Sequence, residues 1–172
     1  RSNKVMYDLE TESVFDTFTG EAVSGPLQDD GVALDEITVV RSTWGEWQRE
    51  HPETRIIAQD GGIERSYQLD PLGDRDADGP IFPIGDFDDR LGVQEFVVGV
   101  ILDDGTAVAF PSEEASAAFN AGDPVELAGV ELRESGDGLV AVEAESGEEI
   151  AAHEAFWFAW SQFHPDTLLW ER

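Results

Sequence analysis

One motif occurs twice in this chain, and it constrains the fold more than any other feature. Trp44-Gly-Glu-Trp47-Gln-Arg-Glu-His51-Pro52-Glu53-Thr54 returns as Trp157-Phe-Ala-Trp160-Ser-Gln-Phe-His164-Pro165-Asp166-Thr167, in the same register. Four of the five tryptophans and two of the three histidines sit in these copies. Recurrence of Trp, Trp, His, Pro, an acid and Thr at one spacing is the mark of an internal repeat. The chain is therefore expected to be a single compact domain, 1–172, built from two related halves, 1–70 and 92–172, joined by an acidic loop, 71–91.

Helix positions three, four and seven residues apart share a face. Each copy predicts a short helix with both tryptophans and the histidine on that face, stopped by a proline that cannot continue it. Two readings follow. In the structural one, each Trp pair anchors a helix on antiparallel strands and the histidine closes the last turn. In the functional one, Trp44, Trp47, His51, Trp157, Trp160 and His164 form an aromatic ligand-binding site, with a histidine as acid–base group or ligand. A catalytic histidine needs a second polar group to orient it, and spacing names none. No residue is assigned a catalytic role. If the halves are related by a pseudo-twofold, a site belongs at their junction.

Between the copies the pattern is mostly β. Val5–Tyr7 and Val14-Phe15 read as strands around an Asp8–Thr11 loop, followed by Ala22-Val23. Val32–Val40, rich in β-branched residues, reads as another strand, with Arg55–Ala58 after the first repeat helix. Ser42 or Thr43 can cap that helix. Phe96–Leu102 and Thr106–Phe110 form the clearest hairpin, turned by Asp104-Gly105. Ser112–Asn120 reads as a helix capped by Ser112 and closed near Gly122. Val125–Leu132, Leu139–Ala144, Ile150 and Leu168–Trp170 complete the strands. The fold class is β-rich α+β.

Charge narrows the partners. Asp and Glu number 38 against 10 Lys and Arg, a formal charge of −28, yet 41% of residues are apolar. That apolar share argues for a folded core rather than disorder. A folded chain this acidic repels itself in dilute salt. At molar salt the Debye length falls to about 3 Å, so the composition points to a halophilic protein. Nucleic acid is excluded as a partner, since no Lys/Arg cluster exists to release phosphate counterions. No membrane span is present, and no protein or small-molecule partner can be named. With no cysteine, neither a disulfide nor a thiolate metal site can form within these residues. The sole methionine, Met6, falls inside an expected strand, so the natural start of the gene product is expected to lie upstream.

Asp74-Arg-Asp76-Ala-Asp78-Gly79 carries alternate carboxylates before a glycine, the pattern of a calcium loop. The full helix-loop-helix pattern fails, because position twelve is Gly85 and not Glu. A looser calcium site on Asp74, Asp76 and Asp78 is weighed against a solvated acidic loop. No cofactor is firmly implied. Phosphate-binding loops, Gly-x-Ser-x-Gly, dinucleotide fingerprints and His-Glu-x-x-His are absent.

Ser2–Asp8, Thr11-x-Ser13 and Gly20-x-Ala22-x-x-Gly25-Pro26-Leu27 resemble domain-of-unknown-function family 3179, found in bacteria and abundantly in haloarchaea. Trp44-x-x-Trp47-x-x-x-His51-Pro52-x-Thr54, Asp89-Arg90-Leu91 and Val97-x-Gly99 continue the likeness to about residue 110. Phe15 stands where much of the family has Trp. The family has no established activity. Its longer members carry an upstream Cys-Pro-Leu-Cys type segment, which implies thiol or selenol chemistry and maps onto no residue here. Some members carry export or lipoprotein leaders, which implies an extracellular or cell-surface location. The expected function is that of a binding or accessory module in a secreted or surface protein. The alternative is part of a thiol-redox enzyme whose reactive residues lie upstream. Whether the protein is an enzyme stays open at this point.

Overall fold

A computed structural model describes residues 4–57, 80, 82–136 and 138–172. Three sheets of mostly antiparallel strands and four short helices among these residues make a β-rich α+β fold.

The chain opens with a three-stranded meander of β1 (Val5–Tyr7), β2 (Val14–Asp16) and β3 (Ala22–Ser24). Its first loop is closed by Asp8, whose carboxylate accepts both the hydroxyl and the backbone N–H of Thr11 at 2.7 Å. Those bonds hold the Asp8 carboxyl below the usual carboxylate range. Ser13 is fully buried, its Oγ accepting the Leu27 N–H at 3.0 Å and lying 2.9 Å from the Thr11 hydroxyl oxygen, which its own hydroxyl can bond. Gly25 sits at φ +87°, and a Cβ there would meet Ser13 at 2.7 Å. The turn runs into the one-turn helix α1 (Pro26–Asp29), with proline in its first turn. Thr11-x-Ser13 and Gly25-Pro26-Leu27 therefore close on each other.

The strand expected over Val32–Val40 does not form. One isolated bridge joins Glu21 and Ala33, after which the chain crosses to the second half without a ladder partner. β-Branched side chains favour extended backbone, but a strand also needs a neighbour. Side chains hold the crossing segment instead: the Thr38 hydroxyl donates to the Ile150 carbonyl at 3.3 Å, and Arg41 pairs with Glu154 at 2.8 Å. Helix α2 (Trp44–Glu50) follows, with Thr43 Oγ1 accepting the Glu46 N–H at 3.3 Å as its cap. Residues 55–57, read from sequence as part of a strand, also have no ladder.

The centre of the fold is a sheet ordered β10-β4-β5-β11. The hairpin β4 (Phe96–Ile101) and β5 (Ala107–Pro111) lies between two strands from the end of the chain, β10 (Ala152–Phe156) and β11 (Leu168–Leu169). β10 is antiparallel to β4 and β11 parallel to β5, so β10 and β11 run the same way. The sequence reading assigned no strand to 152–156. Both faces of this sheet are covered, which explains its unbroken apolar run. Val98, Val100, Val108 and Phe110 pack under helix α3 (Ser112–Ala121) and a second meander. Val97, Ala107 and Ala109 pack under helix α4 (Trp157–Phe163).

Two boundaries differ from expectation. Pro111, not Ser112, takes the N-cap position of α3, with φ −60° and ψ 121°, so Ser112 becomes its first residue. The single strand expected over Val125–Leu132 divides into β6 (Glu126–Leu127) and β7 (Val130–Ser135), because Ala128 and Gly129 both adopt positive φ. The meander continues through β8 (Gly138–Glu143) and β9 (Glu149–Ile150). No helix among the described residues is long and apolar enough to cross a membrane.

Candidate functional site

The two motif copies fold alike locally. Each helix spans seven residues and ends at its histidine: His51 at φ −123°, ψ 66°, and His164 at φ −125°, ψ 69°. Each histidine N–H donates to the carbonyl of the second tryptophan, Trp47 or Trp160. Each of those indoles donates to the motif threonine, Trp47 to Thr54 at 2.9 Å and Trp160 to Thr167 at 3.1 Å. Each imidazole rests against the same indole, with ring centres 4.1 and 4.3 Å apart. The motif is thus a helix-stop in which Trp, His and Thr lock one another.

Their surroundings differ. Trp157 and Trp160 are fully buried, whereas no residue of α2 is buried. The expectation that both helices pack on strands holds for α4 only. Trp157 is fixed by a loop: its Nε1 donates to the Asp88 carbonyl at 2.7 Å, and the Arg90 guanidinium lies 5.4 Å from its ring centre. Arg90 also donates to the Asp88 carboxylate at 2.7 Å and to the Thr167 carbonyl at 3.1 Å. The hydrogen bond from Arg90 holds the Asp88 carboxyl below its usual range. None of Trp44, Trp47, His51, Trp157, Trp160 and His164 lines the groove described next. Asp74, Asp76 and Asp78 lie outside the described residues.

What the structure brings together is the third histidine. His153, on the edge strand β10, pairs in register with Gly99 and lies among Phe18 and Trp160, its ring centre 5.7 and 6.4 Å from theirs. Its Nε2 lies 3.3 Å from the Glu36 carboxylate, out of line for a hydrogen bond, and is otherwise buried. Beside it runs an open groove of about 780 Å³ walled by Phe18, Phe82, Phe96, Phe156 and Phe158. Phe96 and Phe156 face each other across β4 and β10, 4.3 Å between ring centres, and Arg41 covers Phe96 at 3.9 Å. Gln94, Thr17, Lys4 and Glu154 supply polar groups at the walls. Glu154 is largely buried beside Arg41, and burial pushes its carboxyl above the ordinary value despite that cation. Sequence reading missed this site, since its aromatic residues come from well-separated segments with no common spacing. The one available signal was His153, the histidine outside the repeat.

A second cleft, of about 740 Å³, is lined by Glu36, Asp103, Asp104, Glu143, Glu145, Glu148 and Glu149 with no basic side chain. No group of three or more His, Asp or Glu side chains among the described residues is arranged to hold a metal ion.

The family model described as a protein of unknown function (DUF3179) matches residues 1–141. The chain belongs to the DUF3179 family. No curated protein and no solved structure matches it. The DUF3179 match takes in the Ser13–Gly25 closure, the first motif copy and the hairpin β4–β5. It ends before His153, Phe156 and the whole of α4, so the groove is built from both sides of that limit.

Proposed function

We propose that this DUF3179 chain is a non-catalytic binding or accessory module of a secreted or surface protein from a salt-adapted cell, and that its groove beside β10 takes an apolar or aromatic small molecule. One observation carries the reading: five phenylalanines wall a groove of about 780 Å³, with few polar groups at its sides. Ligand sites are concave, mostly apolar, and about 300–1,000 Å³ in volume. The test is a thermal-shift screen of aromatic and aliphatic probes in molar KCl, on the parent and on Phe156→Ala. A stabilising probe whose shift falls several-fold in the variant supports the reading. Equal shifts in both proteins, or none, defeat it.

One observation keeps an enzyme beside this reading. A histidine held near a carboxylate serves acid–base chemistry, and His153 with Glu36 is such a pair. The reacting thiol of a redox enzyme would come from outside this cysteine-free chain. Disulfide-exchange activity of the whole gene product that is unchanged in His153→Gln would remove the pair from that chemistry.

Calcium at Asp74, Asp76 and Asp78 stands as a further part of the proposal. Melting in molar KCl with calcium against chelator reads it: a shift that Asp76→Ala abolishes supports the site, and no shift in the parent removes it.

A further inference from the structure

The two motif copies can be aligned beyond the motif itself. Pairing Trp44 with Trp157 sets Val39 opposite Ala152, Arg41 opposite Glu154, Ile56 opposite Leu169 and Ile57 opposite Trp170. In the second copy these positions are strand β10, helix α4 and the strand β11 running on to Trp170. β10 and β11 never touch each other; the hairpin β4–β5 lies between them and supplies their ladders. Trp160 covers Gly99 of that hairpin, while Ala152 and Trp170 pack on its other face.

The first copy has the two outer segments and the helix, but among the described residues no hairpin lies between them. Its counterparts of β10 and β11 have no ladder among the described residues. Side chains whose equivalents are buried in the second copy face solvent instead: Val39 is 66% exposed, Trp44 45%, Trp47 37% and Ile57 85%. The exposure covers what would be both faces of a sheet, which a single flat docking patch would not require. The rest of the first copy is already placed against the second half. Arg41 pairs with Glu154, its own counterpart, and Gly136 lies against the Glu50 carboxylate.

We infer that residues 39–57 are one half of a second hairpin-centred unit, and that an antiparallel β-hairpin fills the slot between 39–43 and 55–57. That hairpin is apolar on both faces and carries a glycine opposite Trp47, as Gly99 lies opposite Trp160. In the second copy the hairpin precedes its helix, from Phe96 to Pro111. Carried over in the same register, its counterpart falls on the amino-terminal side of residue 1, so the occupant is an upstream stretch of the same natural polypeptide. This inference does not depend on the ligand proposed for the groove.

The test compares residues 1–172 with the full natural gene product in molar KCl. Trp157, Trp160 and Trp170 are buried, so quenching by acrylamide reads mainly Trp44 and Trp47. In the full product, amide exchange over 39–43 and 55–57 slows at least tenfold, and the acrylamide-accessible fluorescence is lost. Trp47→Ala in the full product restores fast exchange there while leaving 96–111 protected. Equal exchange in both proteins overturns the inference, as does a natural product that begins at residue 1. Protection already present in residues 1–172 that sediment as a dimer also overturns it, and makes a second copy the occupant.

Discussion

The six-membered ring of Trp160 occupies the space where a side chain at Gly99 would stand. A Cβ built on Gly99 would come within 2.4 Å of that ring, which belongs to a helix whose first residue, Trp157, is bonded to the Asp88 carbonyl and whose Trp160 Nε1 donates to Thr167. Neither partner can give way. Gly99→Ala is therefore expected to destabilise the protein by about 1–3 kcal/mol, the usual cost of overpacking a core. Urea unfolding reads it, with Gly45→Ala as a control at a glycine of ordinary φ that meets no neighbouring atom. A loss at Gly99 no larger than the control's would mean that the indole is not seated there.

The same ring gives a comparison between the repeats. Trp160→Ala removes a fully buried indole and is expected to cost about 3–5 kcal/mol. Trp47→Ala in residues 1–172 removes a part-exposed one. Its expected cost is on the order of 1 kcal/mol, chiefly the hydrogen bond to Thr54. Parity between the two variants in chemical denaturation would refute the burial difference.

That difference marks how far the sequence could be read. Spacing announced both helix-stops, because Trp, His, Pro and Thr act within seven residues of each other. It said nothing of burial, since Trp47 and Trp160 carry the same local signal in unlike surroundings. The hairpin β4–β5 was legible for a local reason as well: Asp104-Gly105 supplies the turn between two apolar runs. Strand β10 was not, because Ala-His-Glu-Ala-Phe lacks β-branched residues and becomes a strand by pairing with β4. Val32–Val40 failed in the opposite sense, with strand-forming residues and no partner. The groove joins Phe18, Phe82, Phe96 and Phe156 across the fold, and no periodicity links positions so far apart.

Glu154 carries a pH prediction. Burial raises its pKa above the ordinary glutamate value of 4.5, and Arg41 only partly opposes this. The folded state holds the proton more tightly than the unfolded chain does. Its contribution therefore favours folding below the unfolded pKa and is lost as pH rises through the folded value. Glu154→Gln removes that titration. The stability of the parent relative to the variant should fall as pH rises from the ordinary glutamate range through the raised folded-state value. Asp88, depressed by Arg90, acts with the opposite sign at lower pH, but it is common to both proteins and cancels in the difference. A gap that widens with pH would show that the ion pair with Arg41 outweighs burial.

Salt dependence tests the reading of the composition. Seven carboxylates line the cleft around Glu143 and Glu149 without a basic side chain among them, and the whole chain carries a formal charge of −28. Like charges at such distances are screened little at low ionic strength and strongly once the Debye length falls from about 10 Å at 0.1 M to about 3 Å at 1 M. The melting temperature should therefore rise steeply with KCl over that range. Glu148→Lys places one cation in the cleft and relieves the same repulsion without salt. It should raise the melting temperature in dilute buffer and change it little in molar KCl, where screening has already removed the repulsion. A benefit of equal size at both salt concentrations would mean that the introduced ammonium acts through a local contact, and a parent whose melting temperature ignores KCl would end the halophilic reading altogether.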